Sequence, residues 1–361
     1  MLHKHPARSI VALFTILLCM TQAAQAEAPA PKLANVTILA TGGTIAGSGA
    51  TSTTTVGYTA ATVGVQRLIQ AVPELAKVAN VSGEQVFQIA SENMSNDHWL
   101  VLAKRVNVLL AQPNVDGIVI THGTDTLEET AYFLNLVVKS RKPVVLVGAM
   151  RPSTAISADG PINLYNAVLL AASPEAVGKG VLVAMNDQIQ AARDVTKVNT
   201  STLDAFRTPE LGMLGYIQGS KPFFYHLQAR KHTVDTEFDV SKLQSLPAVD
   251  IVYGYANVGP TAVEAFMAAG DKGIIHAGVG DGSLAAKVVP ALKAARAKGA
   301  IVVRASRVGQ GILARNGEAN DDELDFVVAD TLNAQKARIL LMLALTKTSD
   351  TKEIQRMFYT Y

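Results

Sequence analysis

The chain has 361 residues, of which 49% are hydrophobic and 17% charged, so it can bury a sizeable core and has the length of two domains. Lys4 and Arg8 account for its formal charge of +2, and a near-neutral mature chain argues against nucleic acid or anionic lipid as a partner. The single cysteine, Cys19, lies in an N-terminal segment, residues 1–26, that we predict to be removed as described next. Its removal excludes disulfides, cysteine metal sites and cysteine nucleophiles from the mature chain.

The first segment has the pattern of a secretory signal peptide. Lys4 and Arg8 precede an apolar run over residues 10–20, and Ala-Gln-Ala at 24–26 offers the small residues that signal peptidase requires. The run is too short to span a bilayer, and no later segment is long and apolar enough to do so. We therefore predict that residues 1–26 are removed and that the mature chain is exported and soluble.

The first strand is predicted over residues 36–40 and ends abruptly at Thr41-Gly42-Gly43-Thr44. Paired glycines let main-chain N–H groups approach a ligand closely, so the turn can hold an anion or an oxyanion beside the Thr44 hydroxyl. An ordinary strand-end turn is the alternative. The following residues 47–62 are rich in Ser, Thr, Gly and Ala and carry one aromatic, Tyr58, which favours a lid over a plain linker. Since the glycine spacing is not G-x-G-x-x-G, a dinucleotide site is disfavoured.

Alternating strands and helices are predicted from there to about residue 220. The predicted strands cover residues 84–90, 117–121, 143–148 and 180–185, and Ser95 is the predicted cap of a helix with apolar residues at helical spacing. Continuous Val, Ile and Leu in the strands indicate a parallel sheet with both faces covered. Ligands bind at the carboxyl ends of such strands, so the loops at Thr41, Ser91, Thr121 and Asn186 are expected at one edge.

The pattern lapses over residues 226–247, which we interpret as a linker. Beyond it we predict strands at 250–255, 273–276 and 300–305, and helices from Pro260, from Ser283 and over 332–346. The predicted fold class is α/β, with a larger N-terminal domain (27–225) built on a mainly parallel sheet and a smaller C-terminal α/β domain (248–361).

A second hydroxyl site follows the strand 117–121, at Thr124-Asp125. Thr124 or Thr126 could instead cap the next helix, because Glu129 stands three residues after Thr126 as in a capping box and Asp125 suits the positive end of a helix. Thr44 and Thr124 nevertheless both follow buried parallel strands, which should bring two threonines to one edge. A threonine hydroxyl is a poor nucleophile until a base removes its proton.

The sequence offers few candidates for that base. His122 and His276 lie near strand ends and stay open as candidates, whereas the spacing of histidines and acids fits no metal motif. Lys197, after the strand end at 185–187, is better placed, because a lysine desolvated beside a threonine can lose its charge. A solvated surface lysine is the alternative interpretation.

Two segments, ILATGGTIAG (38–47) and DGIVITHGTDTLEETAYF (116–133), resemble in order and spacing the signatures of the bacterial type II L-asparaginases and glutaminase-asparaginases. Further segments extend the resemblance over essentially the whole mature chain: GAMRPSTAISADGP (148–161), RDVTK (193–197), KHTVDTEFDVSKL (231–243) and NAQKARILLMLALT (333–346).

The resemblance implies a periplasmic enzyme that hydrolyses the side-chain amide of L-asparagine, and to a varying extent L-glutamine, through an acyl-threonine intermediate without a cofactor or metal. Thr44 stands where the family has its nucleophile, and Tyr58 stands where a tyrosine closes over it. Thr124, Asp125 and Lys197 match a second triad in which Thr124 contacts the amide or its attacking water, Asp125 binds the substrate α-amino group and Lys197 polarises Thr124.

The resemblance also implies which residues bind the substrate, and it implies an oligomer in which active sites are shared between subunits. Ser91 and Glu92 fall where the α-carboxylate and α-amino groups are held, and Glu318 aligns with a glutamate that enters a neighbouring subunit's site. The family is generally homotetrameric. Glu92 and Ser283 occupy positions that vary in the family, so we predict an asparaginase with some glutaminase activity.

Three other functions stay open at this stage. A glutaminase-asparaginase with comparable rates on both amides is the nearest alternative. A periplasmic solute-binding protein would also be exported with two α/β domains, but it would need no nucleophile. An oxidoreductase using NAD(H) is the weakest of the three.

Overall fold

A computed structural model describes Met1 and residues 32–361; the predicted signal peptide otherwise lies outside the described residues. The strands, in chain order, are β1 Asn35–Gly42, β2 Asn80–Ile89, β3 Gly117–Thr121, β4 Val144–Val147, β5 Val181–Met185, β6 Gln188–Ala191, β7 Thr196–Lys197, β8 Phe206–Arg207, β9 Gly215–Gln218, β10 Lys221–Phe224, β11 Val249–Tyr253, β12 Gly273–Gly278, β13 Ile301–Ser306 and β14 Val327–Val328.

The helices are α1 Val65–Gln70, α2 Asn96–Leu110, α3 Leu127–Val137, α4 Gly160–Ala172, α5 Thr261–Ala269, α6 Val289–Ala297, α7 Asp321–Leu324, α8 Ala334–Ala344 and α9 Thr351–Thr360. Ser95 caps α2 as predicted, since its side chain accepts a hydrogen bond from the His98 N–H. Within the described residues, no helix combines the length and apolar character that crossing a membrane requires.

The larger sheet has eight strands in the order β10-β9-β6-β5-β4-β3-β1-β2, and its five strands from β5 to β2 run parallel. Alternate residues of these strands enter two separate cores. Leu39 and Ile118 face α2 and α3, whereas Ile38 and Val119 face α1 and α4. Since both faces are covered, the strands are apolar without alternation, and the predicted fold class is confirmed.

The predicted alternation of strands and helices to residue 220 is wrong beyond Met185. The chain turns back at Asn186-Asp187, and β6, β9 and β10 extend the sheet as antiparallel strands. Both turn residues have positive φ, 52° and 61°, as a type I′ hairpin requires. The hairpin between β9 and β10 repeats this at Gly219-Ser220, where both φ values are 58°.

The smaller sheet is parallel, in the order β11-β12-β13-β14, with α5 and α6 on one face and α8 on the other. The helix predicted from Ser283 begins at Val289 instead, because residues 278–283 form a tight turn with Gly280 and Gly282 at positive φ and a bridge between Val279 and Ser283. The closing helix α9 was not predicted.

The predicted linker, 226–247, contains one short 3₁₀ turn at Thr233–Asp235. Its Phe238 and Val240 side chains are buried in the core that also contains α3 and α8. Residues 33–361 form one compact unit, and this segment belongs to it. The domain boundaries drawn from the sequence stay a prediction.

Candidate active site

The loops after β1 and β3 touch through their glycines. Gly43 has φ of 80°, and a Cβ atom there would lie 2.3 Å from the Cα of Gly123. The buried Thr41 hydroxyl also donates to the Thr121 carbonyl at 2.8 Å. Thr44 and Thr124, the residues that follow the two glycines, therefore stand on abutting turns at the carboxyl edge of the sheet.

The Thr44 hydroxyl is paired with Tyr58. Thr44 is buried and opens a single 3₁₀ turn, and its Oγ1 lies 2.7 Å from the half-buried Tyr58 hydroxyl. A two-way main-chain bridge between Ser48 and Thr59 brings Tyr58 back over the turn. The base of this loop is tied down because the Ser153 hydroxyl donates to the Gly47 carbonyl at 2.7 Å.

The Thr124 hydroxyl is paired with Lys197. Lys197 Nζ donates to Thr124 Oγ1 at 3.0 Å and to Asp125 Oδ1 at 2.6 Å. Thr124 is buried and 17% of the Lys197 side chain is exposed, whereas 63% of the Asp125 side chain is exposed. The arrangement is a short chain of proton donors and acceptors that leads from a buried hydroxyl to a solvated carboxylate.

Ser91 joins the loop after β2 to the same group. Its hydroxyl accepts from the Asp125 N–H at 3.2 Å, and its carbonyl accepts from the Thr126 hydroxyl at 2.8 Å. Thr126 is the N-cap residue of α3, but it makes no side-chain cap, so the capping-box alternative is wrong. Glu92 follows Ser91 and is exposed.

Ser283 and Glu318 form a separate pair on the smaller sheet's side of the molecule. The Ser283 hydroxyl donates to Glu318 Oε2 at 3.0 Å, and Glu318 is exposed. In the part of the chain that is described, no hydrogen bond joins this pair to the Thr44 or Thr124 group. The structure thus brings seven predicted residues to the edge of the large sheet, and Ser283 and Glu318 are hydrogen-bonded to each other rather than to that group.

The two histidines that stayed open as bases are both fully buried. His122 Nδ1 lies 2.7 Å from the Gly123 carbonyl, to which it must donate, so the neutral ring accepts at Nε2 from the Thr130 hydroxyl at 2.8 Å. Trp99 Nε1 donates to Thr130 at 2.8 Å. Burial lowers the pKa of His122 to about 4, and the ring therefore braces the Gly123 turn as a neutral group.

His276 lies on β12 of the smaller sheet, and neither ring nitrogen has a hydrogen-bond partner among the described residues. Burial lowers its pKa to about 4 as well. Among the described residues, neither histidine makes a hydrogen bond to the Thr44 or Thr124 hydroxyl, whereas Lys197 does so to Thr124.

Cavities do not by themselves locate this site. One cavity of about 660 Å³ is lined by Asn35 and Asn80, the first residues of β1 and β2, and so lies at the opposite edge of the sheet from Thr44. Another of about 350 Å³ borders Lys197 and includes Tyr253 and Arg307 near the carboxyl ends of the smaller sheet. Ligands of parallel sheets bind at carboxyl ends, so the second lies on the relevant side. Within residues 32–361, no three His, Asp or Glu side chains cluster closely enough to hold a metal ion.

Two buried residues that hold the main chain before Lys197 were not predicted from the sequence. Lys336 and Arg193 are buried, and both hold the main chain that leads into Lys197. Lys336 occupies the apolar stripe of a helix, in register with Ile339, Leu340 and Leu343, and a lysine on such a stripe is the signal that could have identified it.

Comparisons with known proteins agree over most of the chain. The family described as "Asparaginase, N-terminal" matches residues 35–230, and the family described as "Glutaminase/Asparaginase C-terminal domain" matches residues 248–358. The chain is 56% identical to a glutaminase-asparaginase of Pseudomonas fluorescens biotype A over 96% of both chains.

Two further proteins show the same likeness. The chain is 53% identical to L-asparaginase 2 of Escherichia coli (strain K12), over 91% of this chain and 94% of that protein. The crystal structure of a probable cytoplasmic L-asparaginase from Campylobacter jejuni superposes with a TM-score of 0.89 at 53% identity, over 91% of this chain and 100% of that one.

Proposed function

Because this chain belongs to the asparaginase family, we propose that it hydrolyses the side-chain amide of L-asparagine to L-aspartate and ammonia, with L-glutamine as a side substrate. The predicted family resemblance is confirmed by the two family matches. The observation that carries the proposal is the pair of threonine hydroxyls on abutting turns, each bonded to a side chain that can move its proton.

Thr44 is the proposed nucleophile. Its Oγ1 attacks the amide carbon, and the proton it loses passes through the Tyr58 hydroxyl to the leaving nitrogen, so that the C–N bond breaks and ammonia departs. Water then attacks the acyl-threonine, and the Thr44 hydroxyl regains its proton. Main-chain N–H groups of the Thr44 turn are assigned to the oxyanion that forms in both steps.

Thr124, Lys197 and Asp125 form the second set. Thr124 orients the amide or the attacking water, and Lys197 Nζ, at 3.0 Å, polarises its hydroxyl. Asp125, largely exposed, is free on one side to bind the substrate α-amino group while it accepts from Lys197. Ser91 and Glu92 complete the amino-acid end, with the Ser91 hydroxyl directed to the α-carboxylate.

A shared site follows from the position of the remaining pair. Glu318 and Ser283 are proposed to enter the site of a neighbouring subunit in a homotetramer, since no hydrogen bond between described residues joins them to the Thr44 group of their own chain. The proposal also keeps the signal peptide at residues 1–26 and a periplasmic location. N-terminal sequencing of the exported protein should begin at Glu27; an intact Met1 would contradict it.

A second candidate function, a glutaminase-asparaginase with comparable rates on both amides, is favoured by the name of the Pseudomonas fluorescens relative. Side-by-side kcat/KM values for L-asparagine and L-glutamine decide between the two. A solute-binding protein is disfavoured, because binding alone needs neither the Thr44–Tyr58 nor the Thr124–Lys197 pair.

Ammonia release from L-asparagine tests the proposal directly. Thr44→Ala should abolish turnover, and Lys197→Ala should lower kcat by roughly 10²–10⁴-fold because proton transfer loses its partner. Lys293→Ala, at an exposed position on α6, is the matched control and should keep the wild-type rate. A near-normal rate in Lys197→Ala would remove the role given to that lysine.

A further inference from the structure

Lys336 is a charged side chain in a position that the fold alone does not explain. It is 2% exposed and is the third residue of α8, where the Asn333 side chain caps its N–H. A buried ammonium is costly to desolvate, and a positive charge at a helix N-terminus opposes the helix dipole. Burial accordingly lowers its pKa to about 8, against the favourable charge of Glu128 on α3.

The Lys336 ammonium ends on the segment that carries Lys197. Nζ donates to the Arg193 carbonyl at 2.7 Å and, through a shorter bond, to the Val195 carbonyl. These two carbonyls bracket a turn whose next residues, Thr196 and Lys197, form β7. A single ammonium thus fixes the main chain on both sides of Asp194 directly before the lysine that reaches Thr124.

The same turn is held from a second direction by the Arg193 side chain. Its Nε donates to the main-chain oxygen of Tyr361 at 2.9 Å, and Nη2 donates to the Thr331 hydroxyl at 2.9 Å. Main-chain pairing of β7 with β8 supplies only a two-residue ladder on the far side. Residues 331–361 therefore help to fix the segment that leads into Lys197. The bond from Lys336 to the Val195 carbonyl is the nearest of these contacts to Lys197 along the chain.

We propose that Lys336 is a positioning residue which, through the carbonyl oxygens of Arg193 and Val195, holds Lys197 Nζ within hydrogen-bond distance of Thr124. The inference rests on the proposed function, in which Lys197 polarises Thr124. Lys336 touches neither threonine and acts on the reaction only through Lys197. A small misplacement of a proton-transfer group lowers the rate strongly while it leaves substrate binding nearly intact.

The test is a double-mutant cycle on the full-length enzyme with Lys336→Met, which keeps an unbranched apolar side chain and removes the donor. On the wild-type background, kcat for L-asparagine should fall by roughly 10²-fold with KM little changed. On the Lys197→Ala background, Lys336→Met should cause no further loss, since its effect passes through Lys197. Lys293→Met is the control.

The outcomes separate the two proposals. A wild-type rate in Lys197→Ala overturns the proposed role of Lys197. A slow Lys197→Ala combined with a fast Lys336→Met, or with an undiminished loss from Lys336→Met on the Lys197→Ala background, overturns the role of Lys336 alone. Should Lys336→Met fail to fold, the same cycle is run with Lys336→Arg, which keeps a buried cation and its donors. An intermediate kcat with unchanged KM supports the inference. If the losses in kcat from Lys336→Arg and Lys197→Ala are fully additive, the inference is contradicted.

Discussion

At the scale of single residues, the candidate site depends on a glycine contact that brings two threonine turns together. Gly43 and Gly123 abut so closely that a Cβ on Gly43 would lie 2.3 Å from the Gly123 Cα. Thr44 and Thr124 follow directly in the chain, so the contact sets the separation of the two hydroxyl-bearing turns. A side chain at Gly43 would push the two turns apart, whereas one at Gly123 would collide with Ser91 instead.

We expect Gly43→Ala to lower the free energy of unfolding by about 3 kcal/mol or more, because overpacking against the Gly123 main chain adds to the cost of positive φ. Gly212→Ala is the control for positive φ without a clash. Its φ is 77° and a Cβ there meets nothing within 4 Å, so only about 1–2 kcal/mol is expected. Gly43 has a ψ of −171° as well as its φ of 80°, a conformation nearly restricted to glycine that adds to the cost there. Urea unfolding measures both. Equal costs for the two variants would show that the glycine contact contributes nothing.

Residue patterns could suggest which side chains carry the chemistry, but not how they are held. The turn at Thr41–Thr44 and the Thr124-Asp125 pair each follow a predicted strand closely in the sequence, so their positions after those strands were sufficient to identify them. Lys197 reaches Thr124 across 73 positions in the chain, a contact that only the assembled sheet defines. Lys336 was overlooked because lysines are read as surface residues, although its helical register is apolar.

At the scale of elements, the parallel strands were predictable and the antiparallel edge was not. β3 matches its predicted range, 117–121, because a strand covered on both faces is apolar throughout. The antiparallel strands β6, β9 and β10 have four residues each, too few for an alternating pattern to stand out in the sequence, so the turns define them. Asn186-Asp187 is a hairpin signal that was read only as a strand end.

One strand carries a pH-dependent cost. His276 of β12 is fully buried without a partner for either ring nitrogen among the described residues, and burial lowers its pKa to about 4. In the unfolded chain the histidine pKa is near 6.5, so between about pH 6.5 and 4 the unfolded state binds a proton that the folded state does not. The stability associated with neutral His276 is complete above pH 6.5 and is lost as the pH falls.

We therefore expect His276→Leu to gain stability relative to the wild type on acidification, by about 2 kcal/mol at pH 5 compared with pH 8. Burial raises the pKa of Glu129 to about 7 and that of Asp271 to about 6, and both act with the opposite sign, so the difference between variant and wild type is the informative quantity. Urea unfolding at the two pH values measures it. The pH 8 difference gives the packing cost of the substitution, and the same difference at pH 5 would rule out His276 as the source.

At the scale of the whole molecule, the two sheets share one core. Buried residues of α3, of α8 and of the segment 226–247 belong to a single cluster, and the Lys336 ammonium crosses from the smaller sheet's helix to the turn before Lys197. The sequence pattern predicts a domain boundary after residue 225, where the periodicity is lost. Irregular segments that pack through isolated anchors such as Phe238 have no period, so sequence patterns do not distinguish them from linkers.

The proposed sharing of sites between subunits predicts complementation. Lys197→Ala damages the Thr124 group, and Glu318→Gln damages the exposed carboxylate that is proposed to enter a neighbour's site, so each variant alone should be nearly inactive. In a hybrid pair, one site lacks both groups, while the other combines an intact Thr124–Lys197 group with an intact Glu318. Random reassembly of equal amounts should restore about one quarter of wild-type activity, because half of the pairs are hybrids and half of their sites are whole.

The matched control for complementation is a mixture of Lys197→Ala with Thr44→Ala. Both substitutions lie on the same edge of the large sheet within one chain, so every site in a hybrid lacks one of the two groups and no activity should return. Ammonia release from L-asparagine is measured after dissociation and reassembly, with hybrids verified by native mass spectrometry. Verified hybrids of Lys197→Ala and Glu318→Gln that stay inactive would place Glu318 outside the neighbouring site, whereas recovery in the control mixture would show that the edge groups themselves are exchanged between subunits.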